Sequence, residues 1–175
     1  AYLSDNTYNS GSYTGFNSIM LDKSVDNLTQ TIGGVQYNKG VGTHANSEIS
    51  YNLNNIPGGP WTNFVATIGR DDEVDGCGTN LNIEFSVYAD NVLIGGPYVK
   101  GVSDAGQQIN LNIAGKSTLK LVVNQGSDGN ITCDHADWAM ARVTKGGARS
   151  GAEHEETSKK ELDKQVFAEN NETDE

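Results

Sequence analysis

The feature that most constrains the fold is a two-residue alternation of apolar and polar side chains. Between residues 81 and 88, apolar residues occupy the odd positions, and polar residues or tyrosine occupy the even ones. Successive side chains of a β-strand point to opposite faces, so this pattern indicates a half-buried strand. The same period recurs at residues 49–53, 64–68, 109–113 and 119–123. Short strands at this spacing predict an all-β domain built as an antiparallel β-sandwich.

The composition changes near residue 145. Residues 1–145 carry the alternating runs, whereas residues 146–175 hold nine acids, four Lys or Arg and few large apolar side chains. Such a segment cannot bury enough apolar surface to offset its ordering entropy. We therefore expect one β-sandwich domain over 1–145 and a disordered acidic linker or tail over 146–175, with a transient helix from Glu153 to Phe167.

The net charge limits the classes of partner. At −11 over 175 residues, the protein cannot replace counterions along a phosphate backbone, which excludes nucleic acid as a natural ligand. No run approaches the roughly 18 apolar residues that a membrane-spanning helix needs. We expect a secreted monomer whose signal peptide has been removed or lies outside this sequence.

The strand directions bring many polar residues to one end of the sandwich. Counting antiparallel hairpins along the chain predicts that the loop after His44, the loop after Arg70 and the segment 124–137 share that end, with Trp61 at the opposite one. Loops on a rigid scaffold are the usual place for binding residues. The set predicted to meet there is His44, Arg70, Asp71, Asp72, Glu73, Asn124, Asp128, Asp134, His135 and Asp137.

These residue types suit sugar hydroxyl groups. Arginine and histidine donate hydrogen bonds, carboxylates accept them, and asparagine does both. Tyr8, Tyr13 and Phe16, in the polar N-terminal loop, could supply a flat apolar face for a pyranose ring. Asp128, Asp134 and Asp137 are hard oxygen ligands and form a candidate structural calcium site, although their spacing is not that of an EF-hand loop. The histidines and cysteines show no spacing typical of zinc.

Cys77 and Cys133 both fall in loops at the predicted binding end. One disulfide joining these two loops is the hypothesis favoured by that placement, and two unpaired thiols are the alternative.

Five segments carry a family resemblance. They are, in chain order, AYLSDNTY, YNKGVGTHANSEISYNL, FVATIGRDDEV, IEFSVYADN and LKLVVNQGSDGNITCDHADWAMARV. Together they resemble the NPCBM domain, the family 51 carbohydrate-binding modules attached to glycoside hydrolases. The resemblance covers about residues 2–143 and rests most specifically on the pairing of GTHANS with DHADWA.

The resemblance implies a galactose-binding-domain-like sandwich with no catalytic activity of its own. It also implies recognition of galactose-configured glycans, either terminal galactose or blood-group A/B-type structures, and an attached catalytic module. The sequence departs from the family at Tyr8, where tryptophan is common, at Arg70, where an apolar residue is common, and at its two cysteines.

Several residues have two interpretations. His44 and His135 either contact a ligand or brace the DHADWA segment, and Asn124 is a further candidate ligand contact. Arg70 either pairs with the acids that follow it or offers its fork of donors to adjacent hydroxyls. Trp138 is predicted to pack in the core.

Two other functions compete with sugar binding. A hydrolase would need two facing carboxylates, which Asp72, Glu73 and Asp134 could supply, but the chain offers little to enclose a substrate. A sandwich that binds protein rather than sugar is the main alternative, since a fold does not determine a function.

Overall fold

The computed structural model describes residues 1–13, 17–78 and 81–146. It shows two five-stranded antiparallel sheets packed into a sandwich, which confirms the predicted fold class. The predictions for the acidic tail after Gly146, including the helix, lie outside the described residues, as do the side chains of Tyr13 and Phe16. No helix in the described part of the chain is long and apolar enough to cross a bilayer.

The first sheet carries His44, Arg70 and His135. In spatial order it consists of β10 (Gln107–Asn112), β7 (Asn63–Arg70), β12 (His135–Thr144), β5 (Gly40–His44) and β2 (Met20–Leu21).

The second sheet packs against the first. In spatial order it consists of β1 (Ser10–Tyr13), β6 (Ser47–Asn52), β11 (Thr118–Gln125), β8 (Asn82–Ala89) and β9 (Val92–Gly101). A separate hairpin joins β3 (Gln30–Ile32) to β4 (Val35–Tyr37), and three short 3-10 helices cover Leu3–Asp5, Leu53–Asn55 and Asp72–Cys77.

The core lies between the inner faces of the two sheets. Trp138 of β12 is completely buried, with its ring 4.9 Å from that of Phe85 in the opposite sheet and 6.4 Å from that of Phe64 in β7. Ile83 and Val87 are buried beside Phe85, as the alternation predicted. An aromatic ring of this size removes a large apolar area from water. The prediction that Trp138 packs in the core is therefore confirmed.

The strand register decides which loops meet. His44 at the end of β5 lies directly opposite His135 at the start of β12, and Arg70 at the end of β7 lies opposite Ala136. In the second sheet, Val123 near the end of β11 lies opposite Ser47 at the start of β6. We call this end the His44 pole. The opposite end, where Trp61 precedes β7, we call the Trp61 pole.

Candidate functional site

A loop crosses the first sheet next to His44 because β5 has a glycine there. A Cβ atom added to Gly42 would lie 2.3 Å from the carbonyl oxygen of Lys23, a distance no side chain tolerates. The absence of a side chain lets the backbone of residues 23–24 lie directly on β5. The loop then closes on itself through bonds between Ser24 and Leu28. This packing brings Ser24 and Asp26 to the His44 pole.

Glu73 links that loop to β12. It lies in the 3-10 helix Asp72–Cys77, whose N-cap residue Asp71 accepts a hydrogen bond from the Glu73 amide at 2.8 Å. One Glu73 oxygen is 2.7 Å from Nδ1 of His135, and the other accepts from the Ser24 hydroxyl at 2.7 Å. Burial acts to raise the pKa of Glu73, but the bonds from His135 and Ser24 outweigh it and lower the pKa. Glu73 is therefore ionised, and it joins Ser24 of the loop to His135 of β12.

His44 presents a hydrogen-bond acceptor at the same place. Its Nδ1 lies 2.7 Å from the carbonyl oxygen of Ala45, which can only accept, so Nδ1 carries the proton. Burial lowers the pKa of His44, which keeps the ring neutral and leaves Nε2 as an acceptor. The ring packs edge-to-face on that of His135, with the centroids 5.2 Å apart.

We call the five residues His44, Glu73, His135, Ser24 and Asp26 the His44 cluster. His44 and His135 are buried, at 5% and 6% exposure, whereas Asp26 is exposed and its carboxylate lies 3.9 Å from Nδ1 of His135. Carboxylate oxygens and a neutral imidazole nitrogen accept hydrogen bonds, so the cluster suits a ligand that offers several hydroxyl donors. The prediction that His44, Glu73 and His135 come together is confirmed, although their contact with a ligand remains a prediction.

Asp26, Glu73 and His135 could also be considered as metal ligands. Their ligand atoms lie within 4.8 Å of one another, and they form the one such group found in residues 1–13, 17–78 and 81–146. The hydrogen bond between Glu73 and His135 accounts for the proximity of those two side chains.

Two neighbouring carboxyl groups, those of Asp71 and Asp137, lie next to the cluster. Asp137 is completely buried, and burial together with neighbouring Asp71 raises its pKa well above the ordinary range. Asp71 accepts bonds from the amides of Thr31 and Glu73, which favours its ionised form. Burial also raises the pKa of Asp71. Asp137 has the larger upward shift, so it is the one of the two that keeps its proton.

Arg70 lies at the predicted end of the sandwich, opposite Ala136, but its side chain is buried. Its side chain is only 1% exposed, Nε donates to the Cys133 carbonyl and Nη2 to the Val74 carbonyl, each at 3.2 Å. The guanidinium thus ties the 3-10 helix to the segment before β12. Nη1 lies 3.7 Å from a carboxylate oxygen of Asp75, which agrees with the alternative that Arg70 pairs with the acids that follow it. Contact of this buried side chain with a sugar stays a prediction.

Asp134 lies next to Arg70 and is also fully buried. Burial, and then the negative charge of Asp128, raise the pKa of Asp134 to about 7. Neither carboxylate oxygen of Asp134 has a protein partner among the described residues. Asp128 and Asp134 adjoin the buried guanidinium of Arg70, whereas Asp137 is buried beside Asp71. The calcium site proposed from the sequence for these three aspartates stays a prediction.

The two remaining predicted contacts lie outside the cluster. Asn124 borders a neighbouring groove of about 480 Å³, lined also by Ser12, Asn46, Ser47, Glu48 and Gln125. Asn46 holds the groove wall in place, because its side-chain oxygen accepts from the Gln125 amide at 2.6 Å. Tyr8 is misplaced by the sequence-based prediction. It precedes β1 and packs edge-on against buried Tyr51, 6.3 Å away and toward the Trp61 pole.

The disulfide prediction is confirmed. Cys77 and Cys133 are bonded, with their Cα atoms 6.4 Å apart. The bond joins the end of the 3-10 helix that carries Glu73 to the segment that leads into His135. It therefore restrains two members of the His44 cluster relative to each other.

Comparison with known proteins identifies the family. Residues 1–144 match the family described as the NPCBM/NEW2 domain. The chain belongs to this family. Its NPCBM domain is similar to the CBM51 module of GH95 from Clostridium perfringens, whose structure was solved in complex with methyl-galactose. The two share 37% sequence identity with a TM-score of 0.74, and the match covers 82% of this chain and 99% of that module.

Two further relatives define the context of the NPCBM domain. The second CBM51 module of ZmpB from C. perfringens, solved with GlcNAc and beside INT domains, is 27% identical with a TM-score of 0.72, covering 81% of this chain and 30% of that one. Alpha-1,3-galactosidase B of Akkermansia muciniphila is 30% identical over 131 residues, which are 74% of this chain. The chain spans 16% of that enzyme's length. The NPCBM domain is thus a carbohydrate-binding module and not itself an enzyme; in its relatives such modules are ancillary to catalytic domains.

Raising the pH should destabilise the NPCBM domain through Asp134. When folding raises the pKa of an acid, the protonated acid stabilises the folded state. This stabilisation is complete at pH values below the pKa in the unfolded chain. It is lost as the pH rises through the folded-state pKa of about 7. Asp134→Asn should therefore have a free energy of unfolding about 1–3 kcal/mol higher than wild type near pH 8 and a much smaller difference near pH 5. Urea unfolding at both pH values measures this. Asp104→Asn, at an exposed turn, is the control, and equal pH slopes for wild type and Asp134→Asn would contradict it.

Proposed function

We propose that this module binds galactose-configured glycans, as terminal galactose or blood-group A/B-type structures, at the His44 cluster. In this proposal it is secreted as part of a larger protein and holds an attached glycoside hydrolase against glycan-covered surfaces. The observation that carries the proposal is the acceptor-rich cluster of His44, Glu73 and Asp26 on a fold shared with a module solved in complex with methyl-galactose.

The chemistry of the cluster favours neighbouring hydroxyl groups. Glu73 is ionised and each of its oxygens keeps acceptor capacity beyond the bonds from His135 and Ser24. Two adjacent sugar hydroxyls, such as the axial and equatorial pair of galactose, can donate to a carboxylate and to Nε2 of His44 at once. Hydrogen bonds to a charged group are stronger than those between neutral groups, so Glu73 supplies the largest single contribution.

The groove beside Asn124 extends the same surface. Asn46 follows His44 by two residues, so the groove begins where the cluster ends. Its lining of amide, hydroxyl and carboxylate groups can both donate and accept. We assign this groove to the next sugar of a glycan whose terminal galactose occupies the cluster.

The affinity for one sugar should be modest. Hydroxyl bonds replace bonds to water, so each contributes about 0.5–1.5 kcal/mol net. A single galactoside should then bind with a dissociation constant on the order of millimolar to high micromolar. Several glycans on one surface and a tethered catalytic domain raise the effective concentration. Calcium binding stays a prediction from the sequence, without a three-aspartate site among the described residues.

A glycan array probed with the whole chain, with calcium and with a chelator, tests the proposal. Selective binding to terminal galactose or A/B-type glycans is expected in both conditions. A blank array with folded protein would contradict the proposal and favour a protein partner. Loss of binding under chelator would show that an ion is required after all.

A further inference from the structure

A second groove lies at the Trp61 pole, at the other end of the sandwich from the His44 cluster. It has a volume of about 500 Å³, within the range of small-ligand sites. Pro57, Gly58, Gly59 and Trp61 form one wall, and Lys116 and Ser117, which precede β11, form the other. Buried Leu53 and Ile56 form its floor and anchor it to the core.

Trp61 is held in a fixed orientation in this groove. Its indole nitrogen donates to the Ile56 carbonyl at 3.3 Å, and Cβ atoms added to Gly58 and Gly59 would lie 3.2–3.3 Å from the ring. The ring therefore rests on a glycine backbone. It is only half-buried, unlike Trp138. A rigid, partly exposed indole is a preformed apolar surface for a sugar ring.

The charged side chain among the described residues that line this groove is a lysine, and a second lysine lies over Trp61. No acidic residue is present among its described lining residues, whereas Lys116 lines it and Lys145 lies over the Trp61 ring with Nζ 5.9 Å from the centroid. The Lys116 ammonium is 3.9 Å from Asp90 in an exposed pair, which leaves it able to bind other anions. The His44 pole instead collects Asp26, Asp72 and Glu73 in a chain of net charge −11.

We propose that the groove at the Trp61 pole is a second saccharide site, and that it takes sugars carrying an anionic group, either a carboxylate or a sulfate. The sugar ring packs on Trp61 while Lys116 and Lys145 bind the anion. Such a ligand is repelled from the acidic His44 pole, so the two ends of the module bind different sugars. This site is independent of the galactoside proposal.

The side-chain NMR signal of Trp61 tests the second site directly. The chain has two tryptophans, and only Trp61 borders the groove, so the two indole N–H signals report on different places. Titration of the whole chain with 3′-sialyllactose and with galactose 6-sulfate should shift the Trp61 signal and leave Trp138 unchanged. The two ligands separate carboxylate from sulfate recognition, and lactose is the neutral control.

Removing the lysine charges should weaken this binding. The double variant Lys116→Gln and Lys145→Gln, which keeps Trp61 and its packing, should raise the dissociation constant for the acidic sugar by about tenfold, since bonds to charged groups are the stronger ones. Lys120→Gln, whose side chain pairs with Glu48 outside the groove, should change nothing. Failure of both acidic sugars to shift Trp61, or an equal shift with lactose, would overturn the proposal.

The outcome is separable from that of the galactoside site. Glu73→Gln should leave acidic-sugar binding at Trp61 unchanged. If methyl galactoside fails to bind while the acidic sugars still shift Trp61, the proposed function is wrong and the second site stands.

Discussion

Glu73→Gln is expected to raise the dissociation constant for methyl galactoside by about tenfold or more. Glutamine fits the same space but removes the negative charge that Glu73 presents to His135, Ser24 and the ligand. Hydrogen bonds to a charged group contribute about 1.5–3 kcal/mol, and each 1.4 kcal/mol corresponds to a factor of about ten in affinity. Isothermal titration calorimetry with the folded variant measures the effect.

Two further variants test whether the effect is specific to the His44 cluster. Glu84→Gln, the same change on β8 outside the His44 cluster, should leave affinity unchanged. His44→Gln removes the imidazole without changing the charge of the cluster and should also weaken binding. Circular dichroism must show that each variant is folded at the temperature of the titration. Unchanged affinity for both Glu73→Gln and His44→Gln would show that the sugar binds elsewhere.

Removing the disulfide should give the largest loss of stability. The cysteines are 56 residues apart, and in the chain-entropy model closure of a loop of that length contributes about 4 kcal/mol to the free energy of unfolding. The double variant Cys77→Ser and Cys133→Ser should lose about that amount in urea unfolding. Total stabilities of small domains are typically about 5–15 kcal/mol, so this loss removes roughly a quarter or more of the free energy of unfolding.

The same variant should also bind galactoside less tightly. Its disulfide joins the helix carrying Glu73 to the segment before His135, so its loss lets these two side chains move apart. The guanidinium of Arg70 still joins the same two elements through the carbonyls of Cys133 and Val74, which limits the loss to a few-fold. The contribution assigned to the bond would be contradicted if the variant were as stable as oxidised wild type, or if reduction did not change the stability of wild type.

The fold was predictable because several of its strands show the two-residue alternation of apolar and polar residues in their own sequence. The alternation in residues 81–87 and 119–123 reports burial on one face directly, and both segments are strands in the structure. Antiparallel strands also reverse direction predictably, so counting them placed His44, Glu73 and His135 at one end. The disulfide followed from the same count, because both cysteines fell in loops at that end.

The parts of the site that sequence reasoning missed depend on irregular packing. Ser24 and Asp26 reach the His44 cluster through a loop with no periodic pattern, and the only signal was the glycine at position 42 within GVGTH. Arg70 is followed by acids and does lie 3.7 Å from Asp75, but the carbonyls of Cys133 and Val74 hold its guanidinium inside the domain. The Cys133 carbonyl is 63 residues away along the chain, so this contact could not be read from the local sequence.

Two other features have equally specific causes. Asp137 was predicted to bind calcium because carboxylates suit that ion, and this stays a prediction. The local sequence did not indicate that Asp137 is completely buried beside Asp71, which raises its pKa well above the ordinary range. Tyr8 was placed at the site because its loop is polar and aromatic. The strand that follows it, β1, runs antiparallel to β6, and this direction carries Tyr8 toward the other end of the sandwich.

The most direct test of the central claim is a crystal structure of the protein with methyl galactoside bound. The sugar should lie at the His44 pole, with hydroxyl groups within hydrogen-bond distance of Glu73 or Asp26 and of Nε2 of His44. A sugar bound at any other place, with the His44 cluster contacting only protein, would contradict the assignment of this cluster as the galactoside site.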